Sequence, residues 1–157
     1  VQYNMLHRDR VEMEYLYLFT EYKLGGAIWS PLAGGILTGK HNESIAEDSR
    51  LALKENAVME RLRKGLLSEE GKMKINKVKK LMPIAEKVGV TPAQLALAWC
   101  MIQPHVDTVI TGVSKPEQME ENLRAVELKS KLTPGILQEI EEILDNRPTP
   151  PFNFRDS

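Results

Sequence analysis

The spacing of apolar and polar residues changes several times along the chain, and each change marks an element. VQYNML at residues 1–6 alternates and reads as a short strand. VEMEYLYLFTEYK follows with Val11, Tyr15, Leu18 and Tyr22 on one helical face, ended by Leu24-Gly25-Gly26. AIWSPL is a second strand, stopped by Pro31. Residues 33–57 hold no period, and a loop of that length in a compact domain is usually functional or disordered. Helical spacing returns from Met59 and continues through Val78, Leu81, Met82, Ile84, Ala85 and Val88, with Pro83 expected to start or kink a helix. Thr91-Pro92-Ala93-Gln94 is a capping box that opens AQLALAWCMIQ, apolar nearly all round and so expected to be buried. DTVITGV is a third strand, expected to be buried on both faces. SKPEQMEENLRAVEL reads as a helix with Ser114 as N-cap, Glu117 at N3, and Met119, Leu123 and Val126 as its apolar side. LTPGILQEIEEIL is a last amphipathic helix, and RPTPPFNFRDS is a proline-rich tail polar enough to be a true C-terminus.

Strands alternating with helices imply an α/β fold with parallel strands and covering helices. Three strands buried on both faces close nothing by themselves and would leave edges liable to mispair. The order therefore reads as the C-terminal part of a (β/α)8 barrel, which needs roughly 250 residues. The alternative is a small open three-stranded domain completed by a partner. The opening at VQYNML, without Met or a leading turn, reads as a cut inside or just before a strand.

Composition narrows the function classes. The 157 residues carry 21 Lys+Arg against 22 Asp+Glu, a net charge of -1 that argues against a dedicated nucleic-acid surface. No apolar run approaches bilayer length, and no basic-then-apolar leader is visible. The single Cys100, in LALAWCMI, reads as a buried thiol of a reducing compartment. His7, His41 and His105 have no metal-ligand spacing, so no metal is assigned.

Candidate chemistry centres on LAGGILTGKH, residues 32–41. Gly34, Gly39 and Lys40 have the spacing of a P-loop, but His41 stands where Ser or Thr would ligate magnesium, and no helix pattern follows. An NTPase is therefore disfavoured. The stretch still leaves the carboxyl end of a strand, where barrel active sites lie. Its glycines permit close backbone approach, Lys40 and Arg50 could meet a phosphate, and Trp29 offers a flat face. The plain alternative is a core tryptophan beside a Gly-Pro turn with solvated cations, and on spacing alone it weighs more. A second candidate, TGVSKPEQMEEN, has Gly112 after a strand, Ser114 at a helix start, and Gln118, Glu121 and Asn122 on one face. Its plain alternative is an ordinary capped helix. The balance shifts because two phosphate-suited loops follow two late strands, where barrel phosphate sites are built.

WSPLAGGILTGK, the DSR at 48–50, LSEEGK, TPAQLALAWC and VITGVSKPEQMEEN together resemble the C-terminal half of an aldo-keto reductase. The likeness is nearest to the branch of voltage-gated potassium channel β subunits and their plant and microbial relatives. It covers essentially residues 1–157, taken as one half of a single barrel domain. The resemblance implies a (β/α)8 barrel, with VQYNML, AIWSPL and DTVITGV as strands six to eight, binding NADP(H) without a Rossmann motif. It implies that Trp29 stacks on the nicotinamide and that Ser30, Pro31, Leu32, Ala33 and Gly34 line the pyrophosphate. Lys40, Ser49 and Arg50 would close over the cofactor, and Gly112, Ser114, Gln118, Glu121 and Asn122 would hold the adenosine end. Asp48 departs from the aromatic that channel β subunits often carry. Gly112 and Gln118 stand where many other aldo-keto reductases have Lys and Arg, a departure shared with the channel branch. The catalytic tetrad would lie upstream of Val1, so no catalytic residue is assigned here. The implied activity is NADPH-dependent reduction of an aldehyde or ketone, with a regulatory channel subunit as the rival. The implied partners are the missing N-terminal half of the barrel, a carbonyl substrate, further copies forming a tetramer, and a potassium channel bound from the cytoplasm. Nothing in the pattern spans a membrane or binds nucleic acid.

Overall fold

The computed structural model describes residues 1–54 and 56–149, so most of the proline-rich tail read from the sequence lies outside the described residues. Strand β1 (Ala27–Trp29) pairs in parallel with β2 (Thr108–Ile110), Ile28 standing against Val109 and Trp29 against Ile110. The first residues occupy the other edge of β1. Trp29 N–H donates to Val1 O at 2.9 Å, and Tyr3 N–H donates to Trp29 O at 3.3 Å. The strand expected at residues 1–6 is thus present only as a single parallel bridge between Gln2 and Trp29. Beyond Tyr3 the backbone turns at once, because Asn4 and His7 bridge to each other.

The entry to β1 depends on Gly26. Its N–H donates to Asp107 Oδ2 at 2.7 Å, and its carbonyl accepts from the N–H groups of Asp107 and Thr108. A Cβ there would stand 1.9 Å from the His105 carbonyl oxygen, so a larger residue must push the strands apart. Gly26 therefore joins the sheet rather than ending the preceding helix.

Among the described residues six α-helices accompany the sheet: α1 (Leu16–Thr20), α2 (Ala57–Leu67), α3 (Glu69–Val88), α4 (Pro92–Met101), α5 (Pro116–Arg124) and α6 (Pro134–Leu144). Local signals start most of them. Asn56, Ser68, Thr91 and Thr133 accept N-terminal backbone N–H groups of α2, α3, α4 and α6, and Thr91 with Gln94 forms the complete capping box. Ala93 through Cys100 are all buried, so α4 is the centre of the core, packed against α3, α5, the 3-10 stretch Ala125–Lys131 and β2. Burial pushes the Cys100 thiol up to about 12, which leaves it uncharged and inert at neutral pH.

Four expectations change. Residues 11–23 do not form one helix; a turn of π-helix (Arg10–Glu14) precedes the short α1, and Leu18 and Tyr22 are exposed while Val11 is buried. Strand β2 is not buried on both faces, since Thr108 and Ile110 are exposed and β2 pairs only with β1 among the described residues. Pro83 sits within α3, on its exposed side, while Val78, Leu81, Ile84 and Ala85 bury the opposite side and offset the lost backbone bond. Helix α5 starts from Lys115 rather than Ser114 and buries Asn122, leaving Leu123 and Val126 exposed.

The N-terminal segment is locked to the helices by Arg8, whose side chain is 3% exposed. Its guanidinium forks onto Glu12 at 2.7 and 2.9 Å and meets both Glu141 oxygens at 3.0 and 2.8 Å. It lies over the Trp99 ring at 5.2 Å, and the Tyr3 ring stacks on the same indole at 5.5 Å. Tyr3 Oη donates to Glu12 Oε1 at 2.5 Å. Burial alone would lower the Arg8 pKa, but the bonds and charges of Glu12 and Glu141 together outweigh it and raise it.

Two outcomes follow for equilibrium unfolding in urea. Arg8→Ala leaves two carboxylates facing each other without their cation and is expected to cost about 3 kcal/mol. Gly26→Ala is expected to cost at least about 2 kcal/mol, the order of an overpacked site. Midpoints unchanged from wild type would contradict both readings.

Candidate functional site

Parallel pairing sends the chain out of β1 and β2 at the same end of the sheet, so the segments after Trp29 and Ile110 start side by side. The first begins under strain. Ser30 and Ala33 have φ of 59° and 50°, unusual for residues with a Cβ, and Gly34 and Gly35 follow at 67° and 99°. Asn4, which the sequence pattern did not single out, holds this turn. Its Nδ2 donates to Ser30 O at 2.9 Å while its Oδ1 accepts from Leu6 N–H at 2.9 Å. Its own burial, at 1% exposed, makes both bonds obligatory. Nothing in the linear pattern marks Asn4; its burial does.

The chain then forms a 3-10 stretch (Ala33–Thr38), turns through the left-handed Gly39, and continues as loop to a single turn at Arg50–Ala52. Among the described residues no α-helix begins between Gly39 and Ala57, so the P-loop geometry is absent and an NTPase stays disfavoured. Pro31 is buried under the turn, and Leu32 and Ala33 pack against the core. Trp29 is 51% exposed on the sheet face it shares with Ile110. Gly34 has open space where a Cβ would stand.

The loop crosses to the second segment through one contact, the 3.2 Å ion pair of Asp48 with Lys115 just before α5. Lys115, by hydrogen bond first and charge second, holds the Asp48 carboxyl below its ordinary pKa. Ser49 and Arg50 follow directly. Ser49 is 6% exposed and its Oγ has no hydrogen-bond partner among the described residues. Lys40 and Arg50 have no carboxylate within ion-pair distance among the described residues. At the start of α5, Gln118 Oε1 accepts from Ser114 N–H at 3.0 Å and Oγ at 3.2 Å, and Gly112 is open. Glu121 and Asn122 are turned the other way, toward α4. Glu121 Oε1 accepts from Thr91 Oγ1 at 2.6 Å, and its carbonyl accepts from Gln94 Nε2 at 3.0 Å. The structure thus brings Trp29–Gly34, the Ser49–Arg50 segment, and Gly112, Ser114 and Gln118 to one end of the sheet, while Glu121 braces α5 on α4.

The donor set suits a phosphate-bearing ligand. Among the described residues a buried hydroxyl lacks a partner and two cations have no carboxylate within ion-pair distance, and glycine leaves room for close approach. No group of His, Cys, Asp or Glu able to hold a metal occurs among the described residues. No described helix is long and apolar enough to cross a membrane.

Fold and site together define part of a parallel α/β protein with an anion-suited loop pair at the carboxyl ends of its strands. The Aldo/keto reductase family model matches residues 1–145, and the chain belongs to that family. It is similar to a protein of Schizosaccharomyces pombe named as a voltage-gated potassium channel subunit beta, with 48% identity over 94% of this chain and 42% of that protein. It is also similar to proteins so named from Arabidopsis thaliana, 43% identical over 98% of this chain and 45% of the relative, and from Oryza sativa subsp. japonica, 41% identical over the same shares. The chain therefore spans less than half the length of the curated relatives it matches.

Asn4→Ala is expected to leave Ser30 O and Leu6 N–H unpaired and to cost about 1–3 kcal/mol. Denaturation in urea measures it; a loss under about 0.5 kcal/mol, the scale of a surface change, would show that Asn4 does not hold the turn.

Proposed function

We propose that this chain supplies the phosphate-binding end of an NADP(H) site in an aldo-keto reductase barrel whose remaining strands lie upstream of Val1. The observation that carries the reading is the loop from Gly34 to Arg50. It leaves one strand, reaches the segment that leaves the next through Asp48 and Lys115, and among the described residues keeps Lys40 and Arg50 out of ion-pair distance of a carboxylate. Trp29 is the exposed ring beside it, suited to stack on the nicotinamide. Lys40, Ser49 and Arg50 would hold phosphate, with Gly34 giving the backbone room. Gly112, Ser114 and Gln118 would meet the adenosine end, and Glu121 and Asn122, farther along α5, would support it, Glu121 being held by Thr91. Bound cofactor supplies a hydride donor. This chain's residues orient it, and the acid that protonates a carbonyl oxygen belongs to the upstream strands.

Two readings of the whole protein share that site. One is an NADPH-dependent reductase of aldehydes or ketones. The other is a regulatory subunit of a potassium channel, acting from the cytoplasm with NADP(H) as a structural or redox-sensing ligand. The second draws on the names of the three relatives, and a tetramer of such subunits belongs to it. Turnover of an aldehyde by the whole barrel favours the first, and co-purification with a channel favours the second.

Lys40→Ala and Arg50→Ala, made in a protein that carries this segment within a whole barrel, test the site. Each is expected to weaken NADPH at least tenfold, the scale of one charge-assisted hydrogen bond of about 1.5–3 kcal/mol. If the side chains meet the 2′-phosphate, NADH affinity stays within about twofold of wild type; equal losses for both nucleotides assign them to the shared pyrophosphate. Unchanged affinity for both would remove these residues from the site.

A further inference from the structure

His41 takes part in none of the roles above, yet it is 2% exposed in a loop that is otherwise largely open to solvent. Its Nδ1 accepts from Ala46 N–H at 3.3 Å. Accepting at Nδ1 places the proton of a neutral ring on Nε2. That Nε2 is buried without a partner among the described residues and points at the left-handed Gly35, 3.5 Å from where a Cβ would stand. The Lys40 side chain crosses the same glycine, with Cε 3.0 Å and Nζ 3.6 Å from that point. The ring therefore fills the space between the glycine turn and the 41–46 turn, and the Lys40 stem packs beside it.

We propose that His41 is a positioning residue: as the neutral ring it pins the 41–46 turn through Nδ1, sets Lys40 and the Ser49–Arg50 segment in place, and releases them on protonation. A second proton would put an N–H on Nδ1, facing the Ala46 N–H, donor against donor. The surroundings give that proton little help. Lys40 is adjacent in the chain, and Asp48 is the one carboxylate that favours the charged ring, already paired with Lys115. On the α3 side Glu43 is paired with Lys79, and Lys72, paired with Glu69, lines the same cavity of about 370 Å³. The 3-10 stretch at Ala33–Thr38 contributes no charge. Burial first, and the Lys40 charge second, lower the His41 pKa below its ordinary 6.5. A depressed histidine pKa means that the pinned turn has its full stability above about 6.5 and loses it as pH falls from there toward the folded value. The consequence for cofactor rests on the NADP(H) reading; the anchor itself does not.

Amide exchange at Ala46, expressed as a protection factor at about pH 7.5 and about pH 5, tests the anchor in the full chain. Wild type is expected to lose protection about tenfold at the lower pH, the scale of one hydrogen bond. His41→Asn places Oδ1 where Nδ1 stood and takes no proton, so its protection should stay near the neutral wild-type value at both pH values. His41→Ala should be about tenfold less protected throughout; should it fail to fold, wild type and His41→Asn still decide. Equal wild-type protection at both pH values would overturn the proposal. So would a His41→Asn chain that loses protection on acidification as wild type does, or one unprotected at neutral pH. NADP⁺ affinity of the whole barrel, measured over the same pH range, is expected to follow Ala46 protection. Affinity that ignores pH while protection falls would keep the anchor and sink the reading of this loop as a cofactor lid.

Discussion

A single buried guanidinium organises this chain. Arg8 reaches two carboxylates from different elements, Glu12 in its own segment and Glu141 in α6, and lies across the indole of α4. A charge so deeply buried is tolerable only when fully paired, so the two acids and the ring must hold their places together. Through Tyr3, stacked on the same indole, the constraint extends to the residues that edge β1. Asn146, just after α6, closes the arrangement by donating to Met5 O at 2.9 Å. Residues remote in sequence are thereby fixed around one side of the core, and the strand end that carries the candidate site inherits that fixed frame.

From Arg8 the constraint passes outward to the strand ends. Tyr3 and its neighbours set the register of β1, and Asn4 sets the turn at Ser30. That turn tolerates two non-glycine residues in left-handed conformations, strain that the buried amide bond and packed Pro31 compensate. The glycines beyond leave room for a ligand on one side and for the stem of Lys40 and the ring of His41 on the other. Rigidity near the strands thus gives way to a loop held by few bonds, the Asp48–Lys115 pair and the His41–Ala46 bond among them. Under the proposed reading, such a loop would close over a phosphate and open again at modest cost.

What was legible in the sequence follows the range of the interactions. Caps are local, so Thr91–Gln94 and Thr133 were readable, and α4 was read as buried because its apolar residues run all round. The parallel α/β pattern was readable from strand and helix alternation, the first strand-end loop from its glycines with Lys40 and Arg50, and the second from Gly112 and the helix start at Ser114. Long-range polar bonds were not readable. Leu18 and Tyr22 lost their expected burial because Arg8 and Tyr3 hold Glu12, and that segment folds as a π turn and a short helix. Helix α5 turns Glu121 inward because Thr91 and Gln94 at the start of α4 offer it bonds, and Asn122 beside it is buried, while Leu123 and Val126, which an apolar-inside rule would bury, stay exposed. Asn4 and His41 look like ordinary polar residues in a linear pattern; only burial marks them as structural.

The central claim is that two strand-end loops of this chain form one cradle for the phosphates and rings of NADP(H). Backbone chemical-shift mapping on titration with NADPH, in a protein carrying this segment within a whole barrel, tests it most directly. The account predicts saturable shifts concentrated between Trp29 and Arg50 and from Gly112 to Asn122, with the Arg8–Glu141 cluster undisturbed. Shifts confined to the cleft around Arg8 and Glu141, or none in either loop at saturating nucleotide, would contradict it.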